Sequence, residues 1–117
     1  MSESISSLEE LEELFNTYSK KLIVLDFYSN FCAPCRRAEP KIKSLMQETC
    51  KHTLFVMIEV RDDPDIEEIV RKYQVYTIPK FIIIRDHKKI FVTNDPDKLE
   101  DKLKRLISPI PPPRRKS

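Results

Sequence analysis

Two cysteines three positions apart, Cys32 and Cys35, enclose Ala33 and Pro34 at the point where a run of strand formers gives way to helical periodicity. A sulfur at a helix N-terminus faces unpaired backbone N–H groups and the positive end of the helix dipole, and both favour the thiolate. Cys32 is therefore expected to have a lowered pKa and to be the attacking thiol. Two intervening residues bring Cys35 into the first helical turn, within reach of a mixed disulfide on Cys32. Pro34 restrains that turn and lacks an N–H, which costs nothing at a helix start. The chemistry is dithiol–disulfide exchange, with attack by Cys32 on a substrate disulfide and resolution by Cys35. The competing reading is half of a zinc site completed by Cys50 and His52. A helix over residues 36–50 places Cys50 about 20 Å from Cys35, beyond one metal's coordination sphere. The strand–helix context favours redox.

The elements that position the pair follow from hydrophobic period. Leu8, Leu11, Leu14 and Phe15 recur at helical spacing, and Ser7 with Glu10 makes a capping-box pattern. Leu22–Tyr28 is an apolar run of strand length, suited to a strand covered on both faces. Ala38, Ile42, Leu45 and Met46 mark a helix from Pro34 to about Cys50, and Leu54 to Val60 reads as a strand. Asp63-Pro64 opens a helix with the stripe Ile66, Ile69, Val70 and Tyr73. Phe81–Ile84 and Ile90–Val92 form two strands around Arg85 to Lys89. Asp95-Pro96 then starts a last helix whose apolar face is Leu99, Leu103, Leu106 and Ile107. The order predicts an α/β fold, a mixed central sheet sandwiched by helices and ending in a hairpin, as one domain over residues 1–107. Residues 108–117 form a Pro-rich basic tail. The chain has no glycine, so turns must place residues such as Asn94 and His87 at conformationally permissive positions.

The totals agree with a single globular domain of 117 residues, 40% hydrophobic, with room for one core. The formal charge is +2. Without Arg114, Arg115 and Lys116 the 21 basic residues fall to 18 against 19 acidic ones, so the body gives no sign of a nucleic-acid partner. Three cysteines are an odd set for a secreted disulfide scaffold. Met1-Ser2-Glu3-Ser4 lacks the basic segment and apolar run of a signal peptide. No apolar stretch reaches the roughly 18–20 residues of a membrane span. The protein is expected to be intracellular and cytoplasmic, where thiols stay mostly reduced.

The residues from Val24 through Cys35 resemble the active-site strand and motif of the thioredoxin family. Pro40 stands where that family has a helix-kinking proline, and Tyr73-Gln74-Val75-Tyr76-Thr77-Ile78-Pro79 is similar to its segment leading to a cis-proline. The likeness covers nearly the whole folded body. It implies the thioredoxin fold and a buried-acid role for Asp26, which accepts or relays the proton as Cys35 becomes a nucleophile. The bland alternative for Asp26 is a polar residue on an exposed strand face, but its neighbours are apolar, and burial there raises a carboxyl pKa. The resemblance also implies a cis Ile78–Pro79 bond facing the cysteines, against the alternative of a plain edge or turn proline. Phe31, Ala33, Pro34, Ile78 and Pro79 are the implied substrate-binding residues. No cofactor is implied beyond the Cys32–Cys35 disulfide itself. The implied partners are disulfide-containing protein substrates and an upstream donor of the thioredoxin-reductase type, acting on a monomer.

Departures from the family pattern are specific. Phe31 stands in place of a tryptophan, keeping an aromatic surface without the indole donor, and Ala33 replaces a glycine. Met57 occupies the position of the lysine that partners the buried acid, so Asp26 should ionise even less readily. Lys80 follows Pro79, where its cation either draws acidic substrates, stabilises the Cys32 thiolate, or is simply solvated. Cys50 should end the second helix away from the pair, as an ordinary helix-end cysteine or a regulatory one. Pro109-Ile110-Pro111-Pro112-Pro113-Arg114 fits an SH3-type ligand in polyproline II form, and equally a solvated terminator of the last helix. The leading functional expectation is a protein disulfide reductase. The alternatives are a thioredoxin-like adaptor with slow redox chemistry, and an isomerase or oxidase, which the missing secretory signal and the non-polar Ala33-Pro34 pair disfavour.

Overall fold

The computed structural model describes residues 2–108. Its elements run β1 (Ser2–Ser4), α1 (Leu8–Thr17), β2 (Leu22–Tyr28), α2 (Ala33–Glu48), β3 (Thr53–Glu59), α3 (Pro64–Lys72), β4 (Lys80–Arg85), β5 (Lys88–Thr93) and α4 (Pro96–Ile107). The strands form one sheet in the order β1-β3-β2-β4-β5. β1 and β2 each pair with β3 in parallel, β4 runs antiparallel to β2, and β5 antiparallel to β4. The expected mixed sheet between helices is thus the observed one. The single body and every strongly periodic element are in place among the described residues. The proline-rich tail and its SH3-type reading lie outside the described residues.

Strand alternation divides the core. Ile23, Leu25 and Phe27 of β2 pack with Leu11 and Phe15 of α1 and Ile66 and Ile69 of α3. Leu22 and Val24 face the other way, against Ala38, Ile42 and Leu45 of α2 and Leu99 and Leu103 of α4. The same alternation sets Asp26 on the α2 face, so the acid lies beneath the cysteine helix rather than beneath α1.

Three local features differ from the sequence expectation. β1 was not expected, because three polar residues carry no hydrophobic period; its pairing, Ser2 opposite Phe55 through Ser4 opposite Met57, is made by backbone alone. The hairpin is tighter than the Arg85–Lys89 connection: only Asp86 and His87 link β4 to β5, at φ 52° and 66°. Positive φ at both central residues is the type I′ pattern whose twist suits a two-residue hairpin. Further along, Ile83 pairs with Phe91 but Ile84 pairs with Lys89, which leaves Ile90 as a β-bulge. Its effect is to put consecutive Ile90 and Phe91 on the same apolar face.

Glycine's work is done by other residues, and not all at the expected places. His87 is left-handed as anticipated, whereas Asn94 is not; Gln74 is, at φ 53°. Gln74 follows the end of α3, where its N–H bonds to the Arg71 carbonyl at 3.2 Å and the Val75 N–H to the Val70 carbonyl at 3.0 Å. That is the Schellman pattern, which normally takes glycine. The side-chain clash of a left-handed residue, less glycine's extra backbone entropy, leaves a cost of about 0.5–1 kcal/mol. Gln74→Gly should therefore raise the thermal midpoint by roughly 2–5 °C. Calorimetry checks this, and an unchanged or lowered midpoint would show the strain is absorbed elsewhere.

Candidate active site

β2, the central strand, delivers the chain to one end of the sheet, and a short turn then reverses it into α2. Ser29 organises the turn: its hydroxyl accepts from the Phe31 N–H at 3.1 Å and its carbonyl from the Cys32 N–H at 3.2 Å. The ends of β2 and β3 are tied nearby, by the Val60 N–H on the Tyr28 carbonyl at 2.7 Å and the Asn30 amide on Glu59 at 2.9 Å. Cys32 is the N-cap of α2, and its sulfur accepts from the Cys35 backbone N–H at 3.2 Å. The sulfur thus takes one of the donors that a helix start leaves unpaired. Pro34 lies in the first turn, where its missing N–H leaves no gap, and the helix continues through Pro40 to Glu48.

Cys32 and Cys35 are joined as a disulfide, with Cα atoms 5.3 Å apart. Both are half-buried. On the far side of the pair the Ile78 carbonyl oxygen lies 3.8 Å from the Cys32 sulfur, and the Ile78–Pro79 bond is cis. Pro79 is buried and held from β5's end: the Asn94 amide donates to the Pro79 carbonyl at 2.5 Å and to the Thr77 hydroxyl at 3.1 Å. Phe31, beside Cys32 in sequence, is 96% exposed, and Tyr76, just before the cis-proline segment, is 82% exposed. Two large rings thus stand open to water on the two segments that carry the first cysteine and lead to the cis-proline.

Asp26 is 4% exposed. It sits opposite Met57 on β3 and Phe81 on β4, and no hydrogen bond from another described residue reaches its carboxyl. Burial, reinforced by the negative charge of Glu39, pushes its pKa from 3.8 up to about 7. The acid and Cys35 line one pocket of about 220 Å³, floored by Met57 and rimmed by Glu39 and Lys43. A cavity of that size admits several water molecules, so a proton can pass between thiol and carboxyl without direct contact. On the other flank of α2, an open groove of about 490 Å³ runs along Pro34, Ile78 and Pro79.

The structure therefore brings together Cys32, Cys35, Asp26, Pro34, Ile78 and Pro79, with Phe31 and exposed Ala33 on the rim. Met57 is the uncharged neighbour of Asp26 that its position implied. Lys80 is different: it pairs with Phe27 across β4 and β2, and alternation places it on the α1 and α3 face, opposite the cysteine helix. It does not stand over the thiolate. Cys50 is an exposed free thiol beyond the far end of α2, its carbonyl accepting from Lys21 at 3.0 Å. Among the described residues no group of three or more His, Cys, Asp or Glu is assembled to hold a metal ion, and no helix is long and apolar enough to cross a membrane.

Sequence reasoning missed Glu39, Asn94 and Tyr76. Glu39 had a signal, since it stands one helical turn beyond Cys35 and so shares its face. Asn94 had none, because its reach to Pro79 depends on the path of the hairpin.

The chain is similar to known proteins across this whole body. Residues 5–108 match the family model Thioredoxin. Thioredoxin-1 of Drosophila yakuba is 29% identical, covering 89% of this chain and 96% of that protein. Thioredoxin of Equus caballus is 30% identical, covering 92% and 100%. The crystal structure of reduced Schistosoma mansoni thioredoxin pre-protein superposes with a TM-score of 0.80 at 30% identity, covering 91% of this chain and 98% of that one.

Proposed function

Because this chain belongs to the thioredoxin family of thiol–disulfide oxidoreductases, we propose that it works as a protein disulfide reductase in which Cys32 attacks and Cys35 resolves. One observation carries the assignment of roles: the Cys32 sulfur caps α2 and accepts the Cys35 N–H at 3.2 Å, whereas Cys35 is inside the helix. The same N–H and the helix dipole favour a negative sulfur at Cys32 over one at Cys35.

The Cys32 thiolate attacks one sulfur of a substrate disulfide, forming a mixed disulfide and expelling the other substrate sulfur as a thiolate. Cys35 loses its proton toward Asp26 and attacks the Cys32 sulfur, releasing the second substrate thiolate and closing the Cys32–Cys35 bond. Two electrons pass to the substrate, and the protein is left in the disulfide form. A dithiol donor of the thioredoxin-reductase type then returns two electrons to the pair. Exposed Phe31 and the Ile78–Pro79 backbone support an extended substrate across the cysteines. The reading places the protein in a reducing compartment, the cytoplasm, acting as a monomer without a bound cofactor.

The direct test is alkylation of the reduced protein at about pH 6. Cys32 should be modified roughly tenfold or more faster than Cys35 or Cys50, read by mass spectrometry of the digested protein. Preferential labelling of Cys35 would reverse the assignment.

A further inference from the structure

The two flanks of α2 differ in charge. The Asp26 pocket carries Glu39, Arg36 and Lys43 together. The groove along the cis-proline, on the α4 side, is lined by Pro34, Ile78, Pro79, Thr77 and Asn94, and its one charged group is Arg37. Arg37 is exposed and makes no ion pair with another described residue. Two acids at the start of α4, whose Pro96 lines the groove, are engaged elsewhere: Asp95 caps α4 by accepting from the Asp97 N–H at 2.8 Å, and Asp97 pairs with Lys41 at 3.1 Å. The Asn94 amide protons are committed to Pro79 and Thr77, so the cation is the groove's strongest donor to an anion.

We infer that Arg37 is a specificity-determining residue of this groove, selecting substrates that carry a carboxylate side chain beside the reacting disulfide. The inference rests on the reductase reading above and names the substrate class for the same site. An extended segment laid along Pro79 would turn its side chains on that flank toward a groove whose one charged lining group is Arg37. The guanidinium offers a planar fork that matches a carboxylate. Such a pair is solvent-exposed, so it discriminates by a modest factor and weakens with salt. Lys80 does not substitute for it, since it lies on the opposite sheet face.

The test uses the full-length chain and peptide disulfides that differ only in the residue next to the cysteine: Glu, Gln or Lys. One set varies the preceding residue and a second set the following one. Each kcat/KM is divided by the peptide's rate of reduction by dithiothreitol, which removes intrinsic differences between the disulfides. The wild-type protein should favour Glu over Lys by about fivefold in at least one set. Arg37→Gln should bring that ratio near one, Arg37→Glu should invert it, and 1 M salt should compress it. Because ratios are read within each variant, an overall change in activity cancels. A ratio that is the same in all three proteins, or a wild-type preference for Lys in both sets, overturns the inference. Failure of the wild-type protein to reduce any peptide overturns the reductase reading and this inference with it, a result distinct from equal reduction of all three.

Discussion

Cys35→Ser is expected to convert the protein from a catalyst into a trap. Cys32 remains at the helix N-cap, where its sulfur still finds the N–H of residue 35, so the first attack on a substrate disulfide proceeds. The second does not, because the only sulfur held within one helical turn is gone. The pair sits with Cα atoms 5.3 Å apart, which gives the resolving thiol an effective concentration far above that of any free thiol in solution. Replacing it by millimolar external thiol should lower turnover by about 10³-fold or more. Substrate should accumulate as a one-to-one mixed disulfide, seen by intact mass and released by dithiothreitol. Cys32→Ser should lose the same turnover yet trap almost nothing, since Cys35 lies inside the helix and is less ready to ionise. Stable adducts on Cys35 in that second variant, with none on Cys32 in the first, would exchange the two roles.

Asp26→Asn should raise stability and slow the resolving step at once. The sign follows from linkage. The carboxyl has a pKa near 3.8 when unfolded and about 7 when folded. Between those values the native state holds a proton that the unfolded state has released, so stability falls as pH rises through that window. The full loss is on the order of 4 kcal/mol above pH 7, complete once Asp26 ionises in the fold. An asparagine carries no charge to bury, and its stability should be flat across the same range. Near pH 8 the variant should be more stable by about 1–3 kcal/mol, the remainder being spent on an amide without hydrogen-bond partners. Denaturant titrations from pH 4 to 9 measure both slopes. Reductase turnover at pH 7 should drop about tenfold or more, because the buried carboxylate no longer takes the Cys35 proton and exposed Glu39 is a weaker base. The deficit should close toward pH 9, where thiols ionise unaided. A variant that lost stability and kept full turnover would make Asp26 a structural residue.

Much of this was legible in the sequence, and the physical reason differs from element to element. Leu22–Tyr28 and the stripes of α2 and α4 declared themselves because burial imposes a period on the side chains. Cys32 and Cys35 were readable because the helix's first turn places them by local geometry, and Asp26 through the family resemblance of an apolar strand that buries it. Asp63-Pro64 and Asp95-Pro96 announced helix starts because capping is chemistry within three residues. What escaped was set by backbone or by distance in sequence. β1 pairs through amides that have no side-chain signature. Gln74 accepts a left-handed conformation that its residue type disfavours, so composition pointed instead to Asn94. Asn94 itself acts on Pro79, fifteen residues earlier, and Lys80 points away from the cysteines because of its parity on β4. Neither fact exists until the strands are in register.

The extra residue at Ile90 settles how that last strand is counted. The tight turn at Asp86 and His87 fixes Arg85 opposite Lys88, and from there an uninterrupted strand would carry every later residue to the face opposite its present one. With the bulge, Phe91 rests on the apolar layer beneath α4, and the chain leaves β5 in phase to bring Asn94 onto Pro79. The hairpin therefore stores one unit of length rather than a particular side chain. Position 90 tolerates exchange among apolar residues far better than removal, since a deletion there is a frameshift in space that displaces the clamp on the substrate groove.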